Sequence, residues 1–586
     1  MIDTRLLSII CVELLLAFPF VGSAFSVTLM NHIGIGALVA IGLVLLTGIG
    51  GMMSFGQAAF MGIAAYTTGW MTTALGWSPW VGLAAGLVLT TFSALVIGLI
   101  TLRLGGHFLP LSTIAWGLSI FYLFGNLEML GGHTGLLNIP PITLGPISFL
   151  SSAAMYYLVW GIVVLAVIFT TNLLDSREGR ALRLLRGGPS LMASVGMKVF
   201  RMRLAAFLLA ANLAGIGGWL YAHLTRFVSP APFEVRASIE YLLIAIIGGA
   251  GQIAGAVVGS GVMVLAKNTL QDILPHITNN PAQMEQVALA LVLILLLHFA
   301  RGGLTPLLQK LLKRRKAMVR SGGQSLPSRE FPKRGSPILE VDAVERRFGG
   351  LHAVNKVSFE VMAGEILGLI GPNGAGKSTM FNLITGALRA NGGTIRFVGR
   401  DVTKVSQQEI AALGCARTFQ HVKLRPGMTL LDNVMSGTYL RTRSGFLRSG
   451  LRLDRAEENM ARREAYRRLE QVGLADRAHD SAGDLPLGQQ RVLEIARALA
   501  ADPVLLVLDE PAAGLRKKEK DALAALLQDL RRDGLTILIV EHDMDFVMKL
   551  VDRIVVMVFG KKLCEGDAET VRRSPEVQEA YLGGTA

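Results

Sequence analysis

Long apolar blocks broken by short polar gaps fill the first three hundred residues, after which the chain turns to short apolar runs between charged stretches. A helix needs roughly 20 apolar residues to cross about 30 Å of hydrocarbon. By that measure the candidate spans are 7–29, 33–50, 56–76, 80–101, 108–125, 154–172, 203–222, 238–249, 252–267 and 286–300. Several are short, 238–249 above all. The pattern therefore predicts an α-helical polytopic membrane domain of about 8–10 spans, with room for a re-entrant pair. Arg5 ahead of an apolar run resembles a signal peptide, but no small-x-small cleavage site follows, so the segment reads as an uncleaved first span.

Running from the second candidate gap into the third span, GMMSFGQAAFMGIAAYTTG (Gly51 to Gly69) places Gly56, Ala59, Gly62 and Ala65 near one stripe. Small residues let membrane helices approach closely, so packing is one reading. The other is a helix broken near Ser54, Phe55 and Gly56, whose freed backbone groups line a substrate path. Glu13 and Glu240 fall inside apolar runs, where a charge costs at least ~2.5 kcal/mol without a partner or water. Each lines a path or sits in a structural pair.

Charge orients the spans. Of the 100 Asp, Glu, Lys and Arg residues, 21 lie in residues 1–300. Arg177, Arg180, Arg183, Arg186, Lys198, Arg201 and Arg203 share one gap, and Lys310, Lys313, Arg314, Arg315 and Lys316 follow the last span. Both groups belong in the cytosol by the positive-inside bias. Counting backward puts the N-terminus inside too and the loop 126–153, whose only charged residue is Glu128, outside. The same bias accounts for the net charge of +14 without nucleic acid. Cys11, Cys415 and Cys564 are too scattered for a disulfide framework or a metal cluster. The chain thus divides into a membrane domain (1–308), a basic linker (309–336) that reads as a flexible connector or membrane-surface strap, and a C-terminal domain (337–586).

In the C-terminal domain Ile338 to Val341 and Val357 to Val361 read as short strands. GEILGLIGPNGAGKST then gives a buried strand, a glycine turn and a helix start, the context in which a P-loop binds nucleotide. Gly371, Asn373, Gly374 and Gly376 let backbone N–H groups face phosphates at the positive end of the following helix. Lys377 neutralises the β- and γ-phosphates, Ser378 ligates Mg²⁺, and Thr379 completes the motif. Val504 to Leu508 is a buried strand ending in Asp509 and Glu510. Asp509 suits Mg²⁺, and Glu510 suits polarising the attacking water. His542, after a second apolar strand, can reach the γ-phosphate, and Gln420 can sense Mg²⁺ and water. Phe348 is a candidate for stacking on adenine. A passive channel needs no such loop and a soluble ATPase needs no such spans, so the chain reads as an ATP-driven transporter.

LPLGQQRVLEIARALA (Leu485 to Ala500) resembles the signature motif of ABC ATPases. With GPNGAGKST, Gln420, LVLDEPAAGL and EHDMDFV, the resemblance covers the whole C-terminal domain. It implies an α/β P-loop ABC ATPase fold with a helical subdomain. The wording of these motifs and of VVMVFGKKLCEG is similar to branched-chain amino acid importer ATPases. GMMSFGQAAFMGIAAY and RFVSPAPFEVRASIEYLLIAIIGGAGQIAGAVVG resemble the permease of that system. The chain looks like a fusion of permease and ATPase from a hydrophobic amino acid importer of the bacterial cytoplasmic membrane.

That resemblance implies two ATPase domains sandwiching two ATPs. Each site takes its P-loop from one domain and its signature, here Gly488 and Gln489, from the other. Closing and opening would rock the permease between outward and inward access, fed by an external binding protein. It also implies a short cytosolic helix docking on the ATPase, for which Gly187 to Arg203 is the candidate, against a plain basic loop on lipid headgroups. Two positions depart from the pattern: Pro486 replaces the usual signature serine, and Arg516 the usual Asp or Asn of the dimer-interface loop. One permease and one ATPase make half a transporter. Pairing with a second permease and a second ATPase is favoured over homodimerisation, because the related importers use distinct pairs. The rival functions are an ABC exporter half and an ATPase-gated, non-transporting regulator.

Overall fold

The computed structural model describes residues 4–103, 108–277, 281–300, 302–305 and 324–582. Contacts group them into two compact units: Met1–Asp175 with Phe200–Lys316 and Gly450–Arg452, and Ser176–Val199 with Ala317–Ser449 and Leu453–Ala586.

The first unit is helical apart from a two-stranded antiparallel sheet, β1 (Thr143–Leu144) with β2 (Ile147–Ser148). Its helices are α1 (Thr4–Val21), α2 (Ala24–Leu43), α3 (Gln57–Ala74), α4 (Pro79–Thr101), α5 (Phe108–Asn126) and α6 (Ser152–Leu174), and, beyond two short helices that fold with the other unit, α9 (Val199–Thr225), α10 (Val235–Gly249), α11 (Ile253–Ile273) and α12 (Pro281–Phe299). Each candidate span has its helix, with ends shifted by a few residues; the first gap falls at Gly22–Ser23 rather than after residue 29. Among the described residues six helices are long and apolar enough to cross a membrane: Ala24–Ile49, Pro79–Thr101, Phe108–Asn126, Ser152–Leu174, Val199–Thr225 and Ile253–His276. The helix starts follow local chemistry. The Ser78 hydroxyl caps α4 with Pro79 in its first turn, and Ser151 caps α6.

Small residues set the packing of this unit. A Cβ on Gly218 of α9 would fall 1.9 Å from the Met61 carbonyl of α3, and one on Gly42 of α2 would fall 3.0 Å from Ala210 of α9. The helix break expected near Ser54 is present as well. α2 runs on as a π-helical turn, Val44–Ile49, and α3 begins only at Gln57. The backbone of the Gly51–Gly69 stretch thus breaks before Gln57, and its glycines pack closely, Gly62 against Phe124 and Phe233. Glu240 is paired, with Lys267 at 2.5 Å and Arg236 at 3.6 Å, while Glu13 is exposed.

The second unit carries two sheets. One is six-stranded, in the order β12 (Lys561–Gly566), β11 (Arg553–Val558), β5 (Ile366–Ile370), β10 (Thr536–Val540), β9 (Leu505–Asp509), β8 (Cys415–Arg417). Its four central strands are parallel, with β10 registered on both β5 and β9. β5, β9 and β10 are buried along their whole length, as continuous apolar runs covered on both faces must be. The other sheet is antiparallel: β4 (Leu351–Met362), β3 (Pro337–Phe348), β6 (Gly392–Phe397), β7 (Arg400–Asp401). A helical subdomain packs α15 (Leu430–Met435), α16 (Arg455–Gln471) and α17 (Leu487–Ala500) around Leu431, Ala465 and Leu493.

Two segments depart from the sequence-based expectation. Residues 309–323 of the basic linker lie outside the described residues, but 324–336 are not a loose connector. Leu326 is buried in the helical subdomain, and the Arg329 N–H donates to Asp502 at 2.5 Å. Residues 176–199, which connect α6 to α9, fold with the ATPase unit as α7 (Arg177–Leu184) and α8 (Pro189–Ser194). Leu191 and Met192 are buried, Ser190 bonds Lys423 at 2.7 Å, and Gly196, at φ +77°, lies where a Cβ would strike Leu440. The cytosolic-helix reading of Gly187 to Arg203 therefore matches the packing for its first part, whereas Phe200 onward belongs to the first unit.

Candidate functional site

The C-terminal ends of β5, β9 and β10 place the polar residues of the site, where ligands of open parallel sheets bind. β5 delivers the chain into a loop that only glycine can follow at two points. Gly371 has φ +153°, and a Cβ there would lie 2.1 Å from the Met557 carbonyl. Gly376 has φ +95°, and a Cβ there would lie 2.2 Å from the Ala353 carbonyl. α13 (Lys377–Ile384) then starts at once. The Lys377 ammonium folds back over the loop, donating to the carbonyls of Gly371 at 2.6 Å and Pro372 at 2.9 Å. Burial holds its pKa below the usual lysine range, against the pull of Glu510 and Asp509. Asn373, Gly374 and Ser378 are exposed, open to a phosphate chain, and Thr379 is half-buried beside them.

β9 ends in Asp509, whose pKa is pushed up to about 6 by burial, with Glu510 and Glu541 adding to the rise and Arg417 opposing it. Glu510 follows at φ +45°, a left-handed backbone that is strained for a residue with a Cβ. Its N–H is tied to the Val540 carbonyl at 2.9 Å, which locks the turn. Its carboxylate is held from two sides. The Gln420 amide donates to one oxygen at 3.0 Å, and His542 Nδ1 stands 3.6 Å from the other. Glu510, Gln420 and His542, from three separated stretches of sequence, thus meet at one carboxylate.

Two residues of this centre escaped the sequence reading. Glu541 is fully buried and accepts from the N–H groups of Ala512 at 2.7 Å and His542 at 3.1 Å, bracing both acid-bearing loops. Its place directly before His542 was the available signal. Arg417, in the stretch just ahead of Gln420, is sandwiched between the rings of Phe381 and Phe419 at 4.5 and 4.8 Å and donates to Thr385 at 2.8 Å. Lowered to about 10 by burial, it is still a cation beside Asp509.

Asp509, Glu510 and Glu541 bring excess negative charge to one spot, the chemistry a hard divalent cation takes. Among the described residues no cluster of three metal-ligating side chains forms. The remaining predicted residues lie elsewhere. Gly488 and Gln489 are in the first turn of α17, after Pro486. Gln489 accepts from Arg477 at 2.6 Å, and Gly488 lies against the Glu519 carboxylate; neither bonds the P-loop. Phe348 is partly exposed, with the Arg346 guanidinium 4.7 Å over its ring.

A family model described as the branched-chain amino acid transport system permease component matches residues 25–297, one for ABC transporters matches 354–513, and one for branched-chain amino acid ATP-binding cassette transporters matches 561–586. The high-affinity branched-chain amino acid transport ATP-binding protein BraF of Pseudomonas aeruginosa is 44% identical over 250 residues, 42% of this chain and 98% of that protein. LivG of Escherichia coli, with the same description, is 44% identical over 252 residues, again 98% of its length. The chain belongs to the branched-chain amino acid ABC transporter family. A nucleotide-free ABC cassette of known structure is 34% identical, with a TM-score of 0.38, covering 42% of this chain and 98% of that one.

This branched-chain amino acid ABC transporter chain is therefore a membrane protein that joins a permease domain to an ATP-hydrolysing ABC domain. Its departures from the family pattern have a visible setting. α18 (Lys517–Arg532) starts after Arg516, whose N–H donates to Glu519 at 2.9 Å, and Lys520 pairs with Asp543 beside His542. The loop that carries Arg516 is thus tied to the histidine end of the site.

Proposed function

We propose that this chain is the fused permease and ATPase half of an importer for branched-chain or related hydrophobic amino acids in the bacterial cytoplasmic membrane. The observation that carries the reading is the meeting of Gln420 and His542 on Glu510 beside the P-loop, in a chain whose other half matches an amino acid permease. Glu510 polarises the attacking water, His542 reaches the γ-phosphate, and Gln420 reports on Mg²⁺. Lys377 and the N–H groups of Gly371, Asn373, Gly374 and Gly376 hold the phosphates, with Thr379 beside them, and Phe348 stacks on adenine. Ser378, Asp509 and Gln420 hold Mg²⁺, whose role is to neutralise the transferring phosphate. Gly488 and Gln489 complete the site of a partner ATPase.

A second permease, a second ATPase and an external binding protein complete the machine. ATP binding closes the ATPase pair and hydrolysis resets it, alternating the access of the permease. Pro486 and Arg516 favour an unlike ATPase partner, because two identical copies would carry both departures at both sites. The ATPase and the N-terminus face the cytosol. The test is ATP-dependent accumulation of leucine by vesicles holding the assembled complex and its binding protein. Equal accumulation without ATP overturns the proposal.

A further inference from the structure

The break between α2 and α3 leaves polar groups that no described residue satisfies. Gln57, the first residue of α3, is wholly buried, and among the described residues neither its amide nitrogen nor its amide oxygen has a partner. The neighbouring backbone is capped from outside the helix. Thr113 of α5 accepts from the Phe55 N–H at 3.0 Å, and Ser238 of α10 accepts from the Ala58 N–H at 3.0 Å. The N–H groups of Gln57 and Ala59 have no partner among the described residues. A helical side chain leans back toward the N-terminus of its helix, so the Gln57 amide shares the space of these free N–H groups. A buried amide left unpaired is costly, and a sequence that keeps one implies another state in which it is paired.

We infer that the start of α3 is where the transported amino acid is held by its charged head. The carboxylate takes the free N–H groups and the Gln57 amide N–H, at the positive end of a helix that starts in mid-unit. The amide oxygen of Gln57 is left to accept from the ammonium. No Asp, Glu, Lys or Arg lies between Glu13 and Arg103, so α2, α3 and α4 bring no carboxylate to repel the head. On α10, Glu240 is already engaged by Lys267 and Arg236. The apolar side chain has a place to go. A small cavity beside Gly56, Ala59 and Thr113 shares Ile97, Trp116 and Ile120 with an apolar cleft of about 510 Å³ that reaches Tyr66, Trp70 and Phe92. The small cavity itself is about 10 Å³ and is not lined by Gln57, which is wholly buried, so the head enters only in another conformation.

This inference rests on the import reading, and the experiment separates the two. Uptake of radiolabelled leucine would be measured in vesicles with the complete complex and binding protein, comparing the parent with Gln57→Leu, Gln57→Glu and Gly56→Ala. A Cβ on Gly56 would meet Thr113 at 3.6 Å, ordinary contact, so that variant folds while filling the cavity. The expected result is uptake per assembled complex reduced roughly tenfold or more in each, most in Gln57→Glu, with a melting temperature for Gln57→Leu no lower than the parent's. A diazirine analogue of leucine, photolysed in the complex, should label α3 and α5. Parent-like uptake by Gln57→Leu, or labelling confined to other helices, overturns the site. Competition for the cleft by a diazirine fatty acid but not by leucine overturns it too, in favour of bound lipid. A parent complex that moves no hydrophobic amino acid sinks the import reading instead.

Discussion

Arg180 grips Glu458 through both terminal guanidinium nitrogens, at 2.8 and 2.9 Å, with only 4% of its side chain exposed. The same carboxylate accepts from the Arg177 N–H at 2.6 Å, and the Arg177 guanidinium lies 3.6 Å over the Tyr439 ring while donating to the Tyr439 and Ser444 carbonyls. A segment that sequence order assigns to the membrane half is thus clasped into the helical subdomain of the ATPase. Removing one member of a buried pair costs about 3–5 kcal/mol, because the other is left charged and dry. Glu458→Ala should therefore release residues 176–199. Leucine accumulated per ATP hydrolysed should fall about tenfold or more, the equivalent of ~1.4 kcal/mol of docking energy. Paired assays of hydrolysis and uptake would check it, and unchanged stoichiometry would count against a coupling role for the clasp.

Glu510→Gln keeps the shape of the strained turn and loses the carboxylate that Gln420 and His542 hold. Hydrolysis should drop by roughly 10²- to 10⁴-fold, the range for a general base, while ATP stays bound. Single-turnover measurements with labelled ATP decide this. Brisk hydrolysis by the variant would remove Glu510 from its proposed role.

Lys377→Ala takes away the ammonium that bridges the Gly371 and Pro372 carbonyls and that is proposed to hold the phosphates. Two effects should appear together: loss of ATP affinity by about tenfold or more, and a loosened loop worth on the order of 1–3 kcal/mol in hydrogen bonds to a charged group. Fluorescent-nucleotide titration reads the first and thermal melting the second. Unchanged affinity contradicts the phosphate assignment.

Glu541→Gln retains one acceptor and swaps the other for a donor facing an N–H. The brace between Ala512 and His542 should fail on one side, at a cost of about 1–3 kcal/mol for the buried group left unpaired. Hydrolysis should fall with little change in ATP affinity, because Glu541 braces the loops and does not itself face the phosphates. Comparing kcat with the nucleotide Kd would check this; parallel loss of both would show collapse of the site.

The residues legible in the sequence were those whose partners are close in the chain. The P-loop is a run of eight residues in which strand end, glycines and lysine are all local. Asp509 and Glu510 follow an uninterrupted apolar strand, and the spans announce themselves by length. Glu541 and Arg417 were not legible. Each is defined by what it touches, Ala512 for one and Phe381 with Thr385 for the other, and those contacts depend on the order in which strands assemble. The orphaned amide of Gln57 was invisible for the same reason, since a glutamine in a small-residue run looks like any other until the surrounding helices fail to pair it.

Hydropathy and local motif chemistry alone settled that this chain has a membrane half and an ATP-hydrolysing half, because both signals are carried by neighbours in sequence. Only the folded chain decided that residues 176–199 and 324–336 pack into the ATPase unit. It likewise decided that Glu510 is held between Gln420 and His542, and that α3 begins with unpaired polar groups. These are contacts between residues far apart along the backbone, and their energy comes from burial and pairing that exist only once the elements have come together.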